Sequence, residues 1–201
     1  MKRRVAVDIV LLLPSPVARR AIADSARQDS AIRLGPRALP HITLAMASVD
    51  AAAVPDIAAA LRARARRMLA FRVTLAGPAA VRSSRHVTTW YHARRSRALS
   101  ALHRACVRLL APYRGASAPP AAFVRRRGEA ISASSRRWVA RFVEDAAGRH
   151  YRPHVTIGRG TPSSAPKTVT FRARRLALCQ LGNHCTCARV LAEARLREGS
   201  V

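Results

Sequence analysis

Two five-residue segments of this chain share one pattern, in which proline, histidine, an aliphatic residue, threonine and a second aliphatic residue follow one another. They read PHITL at 40–44 and PHVTI at 153–157. Side chains two positions apart on a strand point to the same face, so each segment directs one imidazole and one hydroxyl to one side. Because a polar pair is costly to bury without partners, we expect both pairs to line one wet cleft. The fold must then bring two distant strands together, and we expect each to be the central strand of its half.

The remaining sequence alternates between apolar runs typical of strands and amphipathic segments typical of helices. We predict strands over 5–13, 41–47, 71–75, 86–92, 153–158, 168–181 and 185–196. We predict helices over 16–28, 54–69, 96–110 and 136–147. Mixed strands and helices with hairpins indicate an α+β fold, and residues 1–201 are expected to form a single domain. The segment 112–135, rich in proline, glycine, serine and arginine, is expected to be the longest loop and mobile.

The charge of the chain is strongly positive. Lysine and arginine number 37 against 10 acidic residues, a formal net charge of +27, and only Lys2 and Lys167 are lysines. Guanidinium groups pair bidentately with phosphate oxygens, so the surface favours a polyanionic partner such as RNA. An arginine-rich composition can equally reflect a GC-rich genome, and both interpretations stay open. No apolar run approaches the roughly 20 residues that span a bilayer, so no membrane partner is expected.

The N-terminus and the cysteines bear on the cellular compartment. Asp8 interrupts the first apolar run, which indicates a strand rather than a signal peptide. The four cysteines, Cys106, Cys179, Cys185 and Cys187, form no C-x-x-C pair. His184 lies beside two of them and raises a metal hypothesis, but the stretch alternates like a strand around a Gly-Asn turn. We therefore expect reduced thiols, no metal and a cytoplasmic protein.

Two facing imidazoles suit phosphoryl chemistry that needs no metal. One can act as the base toward the attacking oxygen and the other as the acid toward the leaving oxygen, since both titrate near neutral pH. The threonine hydroxyls can donate to the non-bridging phosphate oxygens, where negative charge develops. The candidate catalytic residues are His41, Thr43, His154 and Thr156.

A third His-x-Thr sequence begins at His86. Arg85 precedes it in place of proline, and Thr89 follows where the other two segments have an aliphatic residue. We interpret it as a strand histidine outside the site. His103 falls beside the apolar stripe of its predicted helix, and we expect it to pack or to cap rather than to react.

In these features the chain resembles the 2H (two-histidine) phosphoesterase superfamily, of the LigT-like 2′-5′ RNA ligase and cyclic phosphodiesterase kind. The resemblance includes the opening strand at 5–13, the helix at 99–110 and the approach to the second motif at 138–158. The segment 112–135 is the least matched. The resemblance implies a bilobal fold with pseudo-two-fold symmetry, in which each lobe contributes an antiparallel sheet and a central cleft holds both histidines.

The resemblance also implies an activity. His41 and His154 would be the acid–base pair, Thr43 and Thr156 would hold the phosphate, and Arg159 would be a further phosphate contact, with no metal and no cofactor. The implied substrates are RNA with a cyclic-phosphate end or a small cyclic nucleotide, opened to a 2′-phosphate, and some relatives join RNA ends in a 2′-5′ linkage. We expect a monomer. Two alternatives stay open: an RNA-binding protein of the same fold with incidental turnover, and an esterase acting on a different small phosphate ester.

Overall fold

The computed structural model describes residues 3–82, 87–162 and 164–199, in which eight strands form two sheets. The strands are β1 (Arg4–Leu12), β2 (His41–Asp50), β3 (Phe71–Arg82), β4 (Val87–Ala93), β5 (His154–Arg159), β6 (Lys167–Ala173), β7 (Arg175–Leu181) and β8 (Cys187–Arg195). The helices are α1 (Ser15–Ala26), α2 (Val54–Ala65), α3 (Arg97–Leu110), α4 (Ala133–Ala140) and α5 (Phe142–Ala146). No helix in these ranges is long and apolar enough to cross a membrane.

The two sheets define two lobes. The sheet of lobe one has the strand order β2-β1-β7-β8, and the sheet of lobe two has the order β5-β4-β3-β6. Neighbouring strands in both sheets are antiparallel. Lobe one is therefore built from both ends of the chain and lobe two from its middle, and the predicted α+β fold with two antiparallel sheets is confirmed.

Each Pro-His-x-Thr segment begins an edge strand rather than a central one, which corrects the sequence-based expectation. β2 lies at the edge of lobe one, β5 lies at the edge of lobe two, and the two strands run close together. The pseudo-two-fold relation sets these two edges against each other, so the motifs meet between the sheets. Each edge strand also carries a β-bulge directly after its threonine, which leaves Leu44 and Ile157 outside the regular register.

The helices cross between the lobes. α1 follows β1 of lobe one but packs against β5 of lobe two, while α3 follows β4 of lobe two and packs against β2. The Ser96 hydroxyl accepts a hydrogen bond from the Leu99 amide at the start of α3, which satisfies a free amide of the first turn. Leu99, Leu102 and Cys106 are buried at helical spacing and form the apolar stripe of the predicted helix.

The strand predicted at 71–75 is longer than expected. β3 continues through Gly77–Pro78 to Arg82, because a register shift between Ala76 and Ala79 accommodates the proline without ending the pairing with β4. Proline is tolerated in sheets at such bulges.

The strand predicted at 168–181 is in fact two strands. The chain passes from lobe two to lobe one at Arg174, so β6 pairs with β3 while β7 pairs with β1 and β8. The helix predicted at 136–147 is likewise interrupted at Arg141, whose backbone leaves the helical region. Periodicity does not reveal the break at Arg141, since apolar residues continue on both sides of it, and at the first break apolar residues resume directly after Arg174 and Arg175.

The segment 112–135 is packed along lobe one. Its backbone amides at Gly115 and Val124 donate to the carbonyls of Ser48 and Leu181, and its Phe123 side chain is buried in the main core. The segment therefore closes one side of lobe one rather than extending into solvent.

Cys179 and Cys187 form a disulfide, which corrects the expectation that all four thiols are reduced. The β7–β8 hairpin holds their Cα atoms 5.6 Å apart, within the usual range for the bond. Cys106 and Cys185 are free. Because Cys187 is oxidised, it cannot join His184 and Cys185 as a metal ligand.

Candidate active site

The two motif histidines make matching hydrogen bonds. The His41 Nδ1 atom lies 2.6 Å from the Leu39 carbonyl oxygen, and the His154 Nδ1 atom lies 2.7 Å from the Arg152 carbonyl oxygen. A carbonyl oxygen only accepts, so Nδ1 carries the hydrogen in both rings and a neutral ring has its lone pair on Nε2. The same atom of each imidazole is thus left for chemistry.

The structure brings both predicted pairs into one cleft. β2 and β5 lie close together, and the neighbouring His41 contributes to the low pKa of His154. In each strand the histidine and the threonine alternate with a fully buried aliphatic residue, Ile42 or Val155. Both imidazoles and both hydroxyls therefore face the cleft.

The two threonines have different surroundings. The Thr43 hydroxyl donates a hydrogen bond of 2.7 Å to the Oδ2 atom of Asp8 on β1. Across the described ranges, no protein group bonds the Thr156 hydroxyl. Thr156 can donate to a ligand directly, whereas the hydrogen of Thr43 is already engaged.

Asp8 is a site residue that the sequence pattern marks only as a break in an apolar run. Its side chain is fully buried, and its Oδ2 atom lies 3.7 Å from the Nε2 atom of His41. Burial raises the pKa of the Asp8 carboxyl well above its usual value, and the hydrogen bond from Thr43 offsets part of this rise. A single acidic residue inside a strand predicted to be buried is the signal that the sequence contains.

Burial lowers the pKa of both motif histidines. For His154 the loss of solvent is the largest cause, the neighbouring His41 and His92 add to it, and the pKa falls to about 4. For His41 burial again lowers the pKa, while the hydrogen bond to Leu39 raises it. At neutral pH the His154 ring is therefore neutral and able to accept a proton.

Trp90 packs against the ring of the second motif histidine, His154. Its ring stacks on the His154 ring with a centroid distance of 3.7 Å and an interplanar angle of 13°. His92 lies directly opposite His154 in the sheet and meets Trp90 edge-on at 5.7 Å. Trp90 and His92 alternate on the predicted strand 86–92, so their common face was predictable, although no pattern in the sequence assigned a role to either.

His103 is a packed residue that hydrogen-bonds the bulge of β2 at Leu44. Its Nδ1–H group donates to the carbonyl of Leu44, 2.7 Å away, and its Nε2 atom accepts the Gly148 amide at 3.1 Å. Tyr151 stacks on the ring at 3.7 Å and donates to the Thr43 carbonyl at 2.9 Å. The expectation that His103 packs rather than reacts agrees with these bonds.

Arg159 lies on the cleft face just beyond the second bulge, opposite Thr88. Its backbone amide donates to the Ser30 hydroxyl, and its guanidinium lies 3.4 Å from the Nδ1 atom of His184. The side chain therefore reaches from lobe two to the β7–β8 hairpin of lobe one, at the end of the cleft. The third histidine of the His-x-Thr type, His86, lies outside the described residues.

The disulfide lies beneath the first motif. Cys179 and Cys187 belong to a small buried cluster with Val10 and Leu12, against which Leu39 packs. The Leu39 amide donates to the Cys187 carbonyl at 3.0 Å, and the Leu39 carbonyl is the group that accepts from His41. The hairpin thus supports the backbone that orients the first imidazole.

Comparison with known proteins gave one family and a set of similar folds. A family model described as the 2′-5′ RNA ligase superfamily matches residues 13–177. The structure of E. coli LigT in its apo form has a TM-score of 0.59 and 17% identity, covering 98% of this chain and 99% of LigT. TT0787 of Thermus thermophilus has a TM-score of 0.59 and 15% identity, covering 98% of this chain and 100% of TT0787. A LigT structure complexed with NADP+ has a TM-score of 0.57 and 18% identity, with coverage of 98% and 99%. No curated protein matches the chain by sequence.

Proposed function

The chain belongs to the 2′-5′ RNA ligase superfamily, and from this premise we propose that it is a metal-independent phosphodiesterase. The proposed reaction opens the 2′,3′-cyclic phosphate of an RNA end or a nucleotide and leaves a 2′-phosphate. Water attacks phosphorus, one histidine takes the proton of that water, and the bond from phosphorus to the 3′-oxygen breaks. The other histidine gives its proton to the departing 3′-oxygen.

The matched pair of imidazoles is the observation that carries this proposal. Both rings are fixed through Nδ1 to a carbonyl and present Nε2 to one cleft. An in-line displacement needs one base and one acid on opposite sides of the phosphorus atom. Two protein groups already fill these roles, so the mechanism requires no metal ion.

The non-bridging oxygens have candidate donors in lobe two. The Thr156 hydroxyl is not engaged by protein groups of the described ranges, and Arg159 lies on the same face of the sheet. A hydroxyl donor and a guanidinium together match the charge that develops on the phosphate in the transition state.

The substrate class is proposed from charge and from the relatives. LigT has been crystallised with 3′-AMP and with phosphate, which agrees with a nucleotide that carries a phosphate at its ribose. The net charge of +27 favours an RNA end over a free nucleotide, because each phosphate contact releases counterions.

One assay tests the proposal. The protein is incubated in excess chelator with an oligoribonucleotide that ends in a 2′,3′-cyclic phosphate and, in parallel, with a cyclic mononucleotide. We expect a 2′-phosphate product, with the oligonucleotide turned over faster. A product carrying a 3′-phosphate, or dependence on added metal, would contradict the mechanism. Tight RNA binding without turnover of either substrate would instead support an RNA-binding protein of this fold.

A further inference from the structure

We propose that Asp8 and His41 act as one unit that holds the proton for the leaving oxygen, which makes Asp8 a positioning residue and leaves His154 as the base. This inference rests on the proposed function and adds a group that the two-histidine scheme does not contain. Asp8 contacts no substrate atom in this scheme and acts through His41.

The geometry shows a carboxyl group with a single cationic partner available. Asp8 is fully buried, its Oδ2 atom accepts from Thr43 and lies 3.7 Å from His41 Nε2, and its Oδ1 atom has no hydrogen-bond partner in the described structure. Within the described ranges no arginine or lysine pairs with it. Although the chain contains 37 basic residues, none of the described arginines and lysines supplies a permanent positive charge to Asp8.

The other titratable groups near Asp8 cannot replace His41. Cys106 on α3 is a buried thiol and Cys185 on the β7–β8 hairpin is a half-buried one, and loss of solvent is the main cause that raises the pKa of each to about 12. Tyr151, before β5, has a pKa raised by burial, so it stays neutral. Cys179, opposite Asp8 on β7, is in the disulfide. His41 is therefore the one neighbour of these that can carry positive charge at neutral pH.

A buried carboxyl beside one histidine favours a state in which the two groups share one titratable proton. An isolated carboxylate is strongly disfavoured in such a place, so the carboxyl is protonated beside a neutral ring, or it is ionised beside an imidazolium. Both forms hold one proton more than a carboxylate beside a neutral imidazole. The pair can therefore supply a proton through His41 Nε2 in either form.

Lobe two has no equivalent of Asp8 among its described residues. Asp8 lies two residues before Val10, the residue opposite Thr43. In lobe two, Thr88 lies two residues before Trp90, the residue opposite Thr156, so Thr88 takes the position that corresponds to Asp8. A threonine side chain cannot hold a proton for His154. His154 instead packs on Trp90 and is neutral at rest, with its pKa lowered to about 4 by burial. Before substrate binds, the Asp8–His41 pair therefore holds a proton that can be donated, whereas His154 is neutral and can accept one.

This difference assigns one role to each histidine in the reaction. His154 Nε2 takes a proton from water as the oxygen of that water bonds to phosphorus. The bond between phosphorus and the 3′-oxygen breaks, and its electron pair is protonated by His41. The product carries a 2′-phosphate and a 3′-hydroxyl, and one water molecule has been added. Solvent returns the proton from His154 to the Asp8–His41 pair.

The test compares the wild type with Asp8→Asn in the pH profile of kcat on the cyclic-phosphate oligonucleotide. Activity rises as His154 loses its proton and falls as the Asp8–His41 pair loses its proton. Without the carboxyl, the half-buried His41 loses its proton at lower pH, so the falling limb of the kcat profile should move down by about one pH unit or more. At pH 7 kcat should drop by about tenfold or more, and the rising limb should stay in place.

Asp24→Asn is the matched control. Asp24 is also buried, but it pairs with Arg20 and Arg27 and bonds Tyr91 instead of a motif histidine. Neither limb should move in this variant. An Asp8→Asn enzyme with an unchanged falling limb, or with the rising limb displaced instead, would overturn the inference. If the asparagine variant does not fold, Asp8→Ala gives the same readout.

A substrate-free measurement separates this inference from the proposed function. In an NMR titration of the free protein, His41 should titrate at a higher pH in the wild type than in Asp8→Asn, while His154 should not change. This coupling can be present even if no cyclic phosphate is opened, which would refute the proposed function alone. Identical His41 titrations in the two proteins would refute the Asp8 unit, whatever the activity.

Discussion

The motif of lobe one and the motif of lobe two share their backbone and differ in the side chains around them. Both lie on an edge strand, both carry a bulge after the threonine, and both fix the imidazole through Nδ1. Asp8 lies beside the first imidazole, whereas Trp90 is stacked on the second. The first ring has a carboxyl group beside it, and the second has an indole ring stacked on it.

This difference teaches how a symmetric scaffold can serve an asymmetric reaction. An in-line displacement needs one histidine with a proton and one without. Two identical environments would give two identical pKa values and leave the roles unassigned. Under the proposed mechanism the repeated backbone supplies the two imidazoles, and the side chains beside them, Asp8 and Trp90, are what would give the imidazoles different protonation states.

Removal of either imidazole should give the largest effect, since both lobes are needed. We expect His41→Ala and His154→Ala each to lower kcat by about a hundredfold or more, with the fold retained by circular dichroism. His86→Ala is the control, because its His-x-Thr sequence lacks the preceding proline, and it should stay within about threefold of wild type. If His86→Ala abolished turnover while His41→Ala did not, the first motif would be wrongly assigned.

Substitution of the two motif threonines should lower kcat to different extents, because their hydroxyls have different hydrogen-bond partners. Thr156→Val removes a hydroxyl that is available to the phosphate and should lower kcat by about a hundredfold. Thr43→Val removes a hydroxyl already bonded to Asp8 and should lower kcat by about tenfold. Thr74→Val, which removes a surface hydroxyl that bonds Thr170 on β6, should have no effect. Equal losses at Thr43 and Thr156 would show that the lobes hold the phosphate symmetrically.

Exposure of the second imidazole should change the pH dependence more than the maximum rate. Trp90→Ala opens the ring of His154 to solvent, so its pKa should rise from about 4 toward the ordinary value. Because His154 must be neutral to act as the base, the rising limb of kcat should move to higher pH by about one unit. Trp138→Ala, at an exposed tryptophan on α4, is the control. A rising limb that stays in place in Trp90→Ala would argue against His154 as the base.

The smallest expected effect is on RNA binding, when a single arginine is removed. Arg159 is a candidate phosphate contact in lobe two, whereas Arg175 in lobe one is bonded to Glu193 through two nitrogens. We expect log K for RNA to fall linearly with log salt, with the slope reduced by about one in Arg159→Ala and unchanged in Arg175→Ala. Binding titrations at several salt concentrations measure this. A flat response in the wild type would make the basic composition functionally neutral.

Local periodicity predicted much of the fold. The alternating segments around His41 and His154 and the helical stripe of α3 were recognisable because each depends on neighbours within a few residues. The passage between sheets at Arg174 was not, since it is set by which distant strand pairs with which. The disulfide was missed for a different reason: Cys179 and Cys187 are only eight residues apart, but the register and the irregularities of the β7–β8 hairpin decide which of its residues come close, and the spacing does not show them.

The candidate site was predictable only in its repeated part. The motif residues were visible because they occur twice with one pattern. Asp8 and Trp90 occur once, and each matters through one partner that lies far away in sequence, Thr43 for the former and His154 for the latter. Symmetry in a sequence is readable, whereas the departures from symmetry that separate the two histidines require the tertiary structure.

The passage of the chain from lobe one to lobe two and back sets an order of events during synthesis. The sheet of lobe two is a continuous stretch, complete once β6 has emerged, whereas β1 must wait for β7, with Val7 pairing with Gln180 near the far end of the chain. Until then one edge of β1 is open to misassembly. Closing so long a loop is slow compared with local pairing. While the sheet of lobe one lacks β7, one edge of β1 stays open to aggregation, and this exposure ends when the β7–β8 hairpin inserts beside it.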